Sequence, residues 1–264
     1  MKRRILRLLE RSGLIGPAFR AFEATQAFLA GRARRVDPAD GLPVPPPRLI
    51  VRVAGTADPD WFLEGGRLGA ASVRGALLRH GVRLEEVGAM LDFGCGCGRV
   101  TRNWADLART HVAGTDLSRP AVEWCRRNLP FGRFEVNELM PPLLFADESF
   151  DVVYALSVFT HLTDELQLAW RDELRRVLRR DGFLLVTTHG RSYLPRLDGD
   201  ERARFERGEL VVRWPDLPGT NLCSAYHPER YLRDAFADGF AFLELEAEGA
   251  RGNPTQDLVL FRKQ

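Results

Sequence analysis

The sequence predicts an α/β fold built on a doubly wound, mostly parallel sheet. Three observations carry that expectation. A short apolar run ending at Leu91 meets a glycine-rich turn, DFGCGCG at residues 92–98, and then Val100, Trp104 and Leu107 at helical spacing. Apolar strand-like segments alternate with amphipathic helical ones as far as residue 188. Two further apolar runs, residues 240–247 and 257–262, flank turn residues and predict an antiparallel hairpin at the sheet edge.

Composition narrows the function classes. The 264 residues suit one large α/β domain with additions, or two small domains. Net charge is only +2, so no global basic field points to nucleic acid. Lys2 and Lys263 are the only lysines, and no arginine tract interleaves with aromatics. Cys95, Cys97, Cys125 and Cys223 match neither a zinc spacing nor a disulfide framework. With no signal-peptide pattern, a reducing, cytoplasmic setting is expected. No apolar run approaches the roughly 18 residues of a membrane span.

Residues 1–35 read as basic helices, with nine basic residues against two acidic ones and a break at Gly16-Pro17. Two readings stay open: a surface helix making peripheral contact with anionic lipid or a polyanion, or an appendage packed on the domain with solvated arginines. PVPPP at 43–47 predicts an extended linker. Residues 1–47 are thus expected to form a helical extension and linker, and residues 48–264 the main domain. A helix over 68–80 precedes the first strand.

After the glycine turn, a second strand over 111–116 ends in Asp116, 20 residues after Gly96, which fits one β-α-β step. A carboxylate there can accept two hydrogen bonds from a ribose diol; with Ser118 it also suits a helix N-cap. A helix over 119–129, a strand over 134–136 and an apolar strand over 150–155 follow. Asp164 and Gln167 read as a capping box for a helix over 165–179. Gly182 is expected to stop that helix before a fifth strand over 183–188. Residues 191–225 form a long polar insertion with a short helix near 200–207, a length that is often functional. A helix over 227–238 leads to the hairpin.

The glycine spacing is not that of a dinucleotide fingerprint, because Arg99 stands where the third glycine would fall. The pattern D-x-G-x-G-x-G instead resembles the first motif of class I S-adenosylmethionine (SAM) dependent methyltransferases. SVFTHL at 157–162 and LRRVLRRDGFLLVTTHG at 174–190 resemble the same family. The resemblance covers about residues 84–264 and implies a Rossmann-like, seven-stranded sheet with an antiparallel C-terminal edge, plus the N-terminal helical extension. It also implies SAM as cofactor. Asp92, Gly94, Cys95, Gly96 and Gly98 would hold its amino-acid end, and Asp116 and Leu117 its ribose. Asn137 and Glu138 would hold its adenine, with Asn137 standing where many relatives carry Asp, and Leu156 would offer a backbone contact near the methionine. Trp61, Phe62 and Arg67 fit either a lid over the cofactor or simple packing. The similar phrases suggest a small-molecule or glycan acceptor.

Methyl transfer from a sulfonium is an in-line displacement, so the protein mainly aligns reactants and excludes water. A hydroxyl acceptor needs a base. His161, beside the methyl position, and His189, at the end of the fifth strand, are the best-placed candidates; Glu138 is a third. His80 and His111 fall away from the crevice. Acidic residues do not cluster with histidine at metal-ligand spacing, so no metal is expected. A binding module that holds SAM without turnover is the alternative. A nucleic-acid methyltransferase is disfavoured by the near-neutral charge and by the lack of an Asn/Asp-Pro-Pro-aromatic motif.

Overall fold

Parallel strands covered on both faces must be almost wholly apolar. The segments that meet this condition form the middle of the sheet in the computed structural model, which describes residues 35–252 and 254–264 together with 17, 21, 24–26 and 28. Among the described residues, the strands are β1 (Ala89–Phe93), β2 (His111–Asp116), β3 (Gly132–Val136), β4 (Phe150–Ala155), β5 (Leu178–Thr188), β6 (Val211–Arg213), β7 (Ser224–Tyr226), β8 (Phe240–Ala250) and β9 (Gln256–Lys263). Seven of them make one sheet in the order β3-β2-β1-β4-β5-β9-β8, while β6 and β7 pair separately. The β1–β2, β2–β3, β1–β4 and β4–β5 pairs are parallel. β9 runs antiparallel to both β5 and β8. The expected seven-stranded sheet with its antiparallel edge is therefore present. Strand order reverses between β1 and β4, and a crevice opens beyond the carboxyl ends of strands at such a point.

The chain divides into two compact units, Met1–Glu64 and Gly65–Gln264. The basic helices expected over residues 1–35 lie almost wholly outside the described residues. In the first unit, α1 (Pro47–Ala54) begins at the last proline of the expected linker and continues into the stretch assigned to the main domain. Proline suits the first helical turn, and Gly55 at φ +70° closes it. Leu49, Ile50 and Val51 are buried. The helix before the first strand, α2, spans Pro59–Arg79, starting earlier than expected. Phe62 is buried and Arg67 exposed.

Within the second unit, α3 (Arg119–Asn128) and α4 (Asp164–Val177) match their expected places, and α5 (Gly199–Glu206) lies in the insertion. Four local expectations fail. The glycine turn leads into a 3-10 turn, Thr101–Trp104, not an α-helix. There the Asn103 amide donates to the carbonyls of Arg99 and Val100, competing for acceptors a helix would use. The cap of α4 is Thr163, whose hydroxyl accepts the Leu166 N–H; the Gln167 amide turns inward to the carbonyls of Phe159 and Leu162. Gly182 stops nothing, because β5 begins directly after α4 at Leu178. The expected helix over 227–238 is a short α6 (Glu229–Tyr231) followed by a π-helical turn, Leu232–Phe236.

Each face of the sheet carries its own core. One holds Phe93, Phe159, Trp170, Phe236 and Phe261, with Phe93 and Trp170 ring centroids 4.6 Å apart. The other holds Val73, Leu77, Met90, Trp104 and Tyr154. Phe261 on β9 touches the rings of Phe236, Phe240 and Phe242. Truncating it opens a cavity that three aromatic neighbours line. Phe261→Ala is expected to cost about 3–5 kcal/mol in urea unfolding; a loss below about 1 kcal/mol would show that this cluster is not a core.

Candidate cofactor and acceptor site

The glycine turn is stitched to the end of β2. The Gly94 and Cys95 N–H groups donate to the Thr115 carbonyl at 2.8 and 2.9 Å. One Asp116 carboxylate oxygen accepts the Gly96 N–H at 2.9 Å, and the other accepts the Ser118 N–H at 2.7 Å. Asp116 thus fixes both the turn and the entry to α3. Gly94 and Gly98 stand at φ +83° and +75°. A Cβ on Gly94 would lie 2.3 Å from Val158 Cγ2, and one on Gly98 would lie 2.4 Å from Leu129 Cδ1. The turn is wedged between the segment after β4 and helix α3, and larger residues would not fit either place.

Asp92 is buried at the foot of this turn. It shares its β-ladder position with Tyr154 on one neighbouring strand and with Gly114 on the other. Thr101 Oγ1 donates to its carboxylate at 2.5 Å, and Tyr154 also hydrogen-bonds to it. Trp104 Nε1 in turn donates to the Tyr154 hydroxyl at 2.8 Å. Burial raises the Asp92 pKa to about 6, against the two hydrogen bonds and the Arg99 charge, which lower it. Sequence reasoning singled out Asp92 but missed Thr101, Trp104 and Tyr154; pairing β1 with β4 in register would have found Tyr154. The Cys95 thiol is held above its ordinary range by its hydrogen bond with Cys125 and by burial, and burial does the same to Cys97. Neither environment favours a thiolate.

At the end of β3, Asn137 Nδ2 donates to the Glu138 carbonyl at 2.8 Å, while its buried Oδ1 has no partner. That leaves an unmatched acceptor at the carboxyl end of β3. Glu138 is exposed and Leu117 is 38% exposed. A glycine cradle, an unmatched amide oxygen and a half-buried carboxylate fit an adenosyl amino acid.

The histidines differ sharply. His161 Nδ1 lies 2.7 Å from the Cys223 carbonyl, which can only accept, so Nδ1 carries the proton and Nε2 keeps its lone pair. Nε2 makes no hydrogen bond within the described residues. Burial lowers the His161 pKa below its ordinary value. His189 Nδ1 donates to the Ala225 carbonyl at 3.0 Å, and its Nε2 lies 3.2 Å from Gln256 Nε2. Both of its ring nitrogens are engaged, and burial pushes its pKa down to about 3. His227 donates through Nε2 to Gln167 Oε1 at 3.1 Å. The insertion supplies the carbonyls of Cys223 and Ala225, and Gly219 N–H donates to the His161 carbonyl. Its Tyr193, Leu197, Phe205 and Val211 form a small core with Tyr226 just beyond it. Leu156 packs near Gly69, at the start of the segment after β4. Among the described residues, no group of three or more His, Cys, Asp or Glu is placed to hold a metal ion, and no helix is long and apolar enough to cross a membrane.

Residues 91–186 match the family model of a methyltransferase domain. An O-methyltransferase of Penicillium expansum is 36% identical over 93 residues, covering 32% of this chain and 33% of that protein. A 2-methyl-6-phytyl-1,4-hydroquinone methyltransferase of Synechocystis sp. is 34% identical over 100 residues, covering 37% of this chain and 30% of that one. The chain spans about a third of the length of these curated relatives. A SAM-dependent methyltransferase structure from Mesorhizobium loti aligns with TM-score 0.55 at 19% identity, over 74% of this chain and all of that one. A Pyrococcus horikoshii structure aligns with TM-score 0.53 at 20% identity, over 73% and 88% respectively. These two likenesses are of fold.

The Asp92 environment has a measurable consequence in the cofactor-free protein. A folded-state carboxyl pKa near 6, above the ordinary 3.8, stabilises fully at low pH and is lost as pH rises through about 6. The full span is about 3 kcal/mol. Asp92→Asn should flatten the stability profile between pH 4 and 6.5, read by urea unfolding; a profile as steep as that of the parent would place the titration elsewhere.

Proposed function

We propose, from the premise that this chain belongs to the class I SAM-dependent methyltransferase family, that it transfers a methyl group from SAM to a hydroxyl of a small-molecule or glycan acceptor. One observation carries the reading: the Gly94–Gly98 turn, pinned to Asp116, stands at the reversal point of the sheet inside the stretch that matches the family. SAM supplies an electrophilic methyl on a sulfonium. The chain's own residues do the rest. Asp92, Gly94, Cys95, Gly96 and Gly98 hold the amino-acid end, with the Asp92 carboxylate as counter-charge for the ammonium. Asp116 and Leu117 hold the ribose, and Asn137 and Glu138 the adenine. The Leu156 backbone borders the methionine.

A hydroxyl becomes a good nucleophile only as its proton leaves. His161 suits that role, because the Cys223 carbonyl fixes its tautomer and leaves Nε2 as the accepting atom. Its lowered pKa keeps it neutral, and so basic, at pH 7. His189 has no nitrogen to offer and serves the surrounding framework. The activities of the two curated relatives, an O-methyltransferase and a hydroquinone methyltransferase, support a small organic acceptor, one of them through oxygen.

Calorimetric titration with SAM, followed by transfer of labelled methyl to small-molecule extract, tests the reading. Asp116→Ala is expected to weaken SAM at least about tenfold, the loss of one charge-assisted contact. His161→Gln should leave SAM affinity within about twofold and cut transfer by about 100-fold. Absence of SAM binding would end the proposal; binding with no labelled product would leave a binding module.

A further inference from the structure

Ser157 stands directly after β4 with φ +59°, a left-handed backbone that side-chain-bearing residues seldom adopt. Its conformation matters because the next residue, Val158, occupies the space that a Cβ on Gly94 would need. The backbone at 156–158 and the glycine turn are therefore fitted to each other. Two buried side chains from other strands hold Ser157 in place. The Ser157 N–H donates to Thr187 Oγ1 at 2.7 Å, and Ser157 Oγ donates to Gln256 Oε1 at 2.9 Å. Thr187 Oγ1 donates to the same Gln256 oxygen at 2.6 Å.

The orientation of Gln256 follows from its last neighbour. The Ala225 carbonyl accepts from His189 Nδ1, so His189 Nε2 is an acceptor and requires a donor. Gln256 Nε2 meets it at 3.2 Å, which turns Oε1 toward the two hydroxyls. Gln256 and Thr187 are 2% and 1% exposed, so water cannot replace these bonds. Every polar atom of the Gln256 amide faces a partner of the matching kind.

We infer that Gln256 is a positioning residue for cofactor binding: through Thr187 and Ser157 it holds the left-handed backbone that seats Val158 against Gly94. The inference rests on the SAM reading above. It assigns a role to the C-terminal strand β9, distant in sequence from every residue of the glycine turn. It also gives His189 a function other than proton transfer, as the group that fixes which way the Gln256 amide points.

The test is a rescue experiment with binding as its readout. Gln256→Met keeps length and removes both polar atoms; it is expected to weaken S-adenosylhomocysteine about tenfold, a change of about 1.4 kcal/mol. Adding Ser157→Gly should recover at least half of that loss, since glycine adopts positive φ without help. A merely structural role would not be relieved by that second change. Unaltered affinity in Gln256→Met, or a loss that Ser157→Gly leaves in place, overturns the inference. If Gln256→Met fails to fold, Thr187→Val, alone and with Ser157→Gly, decides by the same criteria. Failure of both single variants to fold makes the group purely structural and likewise overturns it. Parent protein that binds no S-adenosylhomocysteine refutes the SAM reading itself, a result separable from all of these.

Discussion

The two hydrogen bonds to the Asp116 carboxylate organise this molecule. One comes from Gly96 in the first crossover and one from Ser118 at the entry to the second. A single side chain at the end of β2 thereby sets the backbone of the glycine turn and the direction of α3. Removing its charge would leave two backbone donors unmatched beside the crevice, a cost comparable to losing the bonds themselves. The loops on both sides of β2 thus depend on one group.

How far the sequence reveals this depends on where the information resides. Strand periodicity, the glycine spacing and the step from Gly96 to Asp116 are local, and the sheet follows from them. The partners of Asp92 are not local. Tyr154 reaches it only because β1 and β4 lie side by side in register, and Thr101 because the segment after the turn is a 3-10 turn. Gln167 looked like a capping residue, because spacing along one helix cannot show that its amide is needed by the Phe159 and Leu162 carbonyls. Helix α1 was hidden by the prolines before it, which read equally well as linker until Pro47 is seen to occupy a first helical turn.

His161 and His189 are equally plausible bases in the sequence, each in a segment that borders the crevice. What separates them is the partner of the second nitrogen. Both donate through Nδ1 to a carbonyl of the insertion, but Gln256 occupies Nε2 of His189 and nothing among the described residues occupies that of His161. The insertion therefore acts directly on both rings. Its carbonyls at Cys223 and Ala225 set both tautomers, and its course is in turn fixed by its own small aromatic core.

Unfavourable local choices gather where the ligand would sit. Asp92 is a carboxylate in a dry place, and Ser157 is a serine in a glycine conformation. Each is surrounded by donors or acceptors from separate strands, so that relaxing either would break several buried bonds at once. Strain persists only under such over-determination. The compensating bonds come from Tyr154 on β4, Thr187 on β5 and Gln256 on β9, with Thr101 added from the 3-10 turn. A site held this way keeps its shape before any ligand arrives, so binding need not supply the free energy of ordering it.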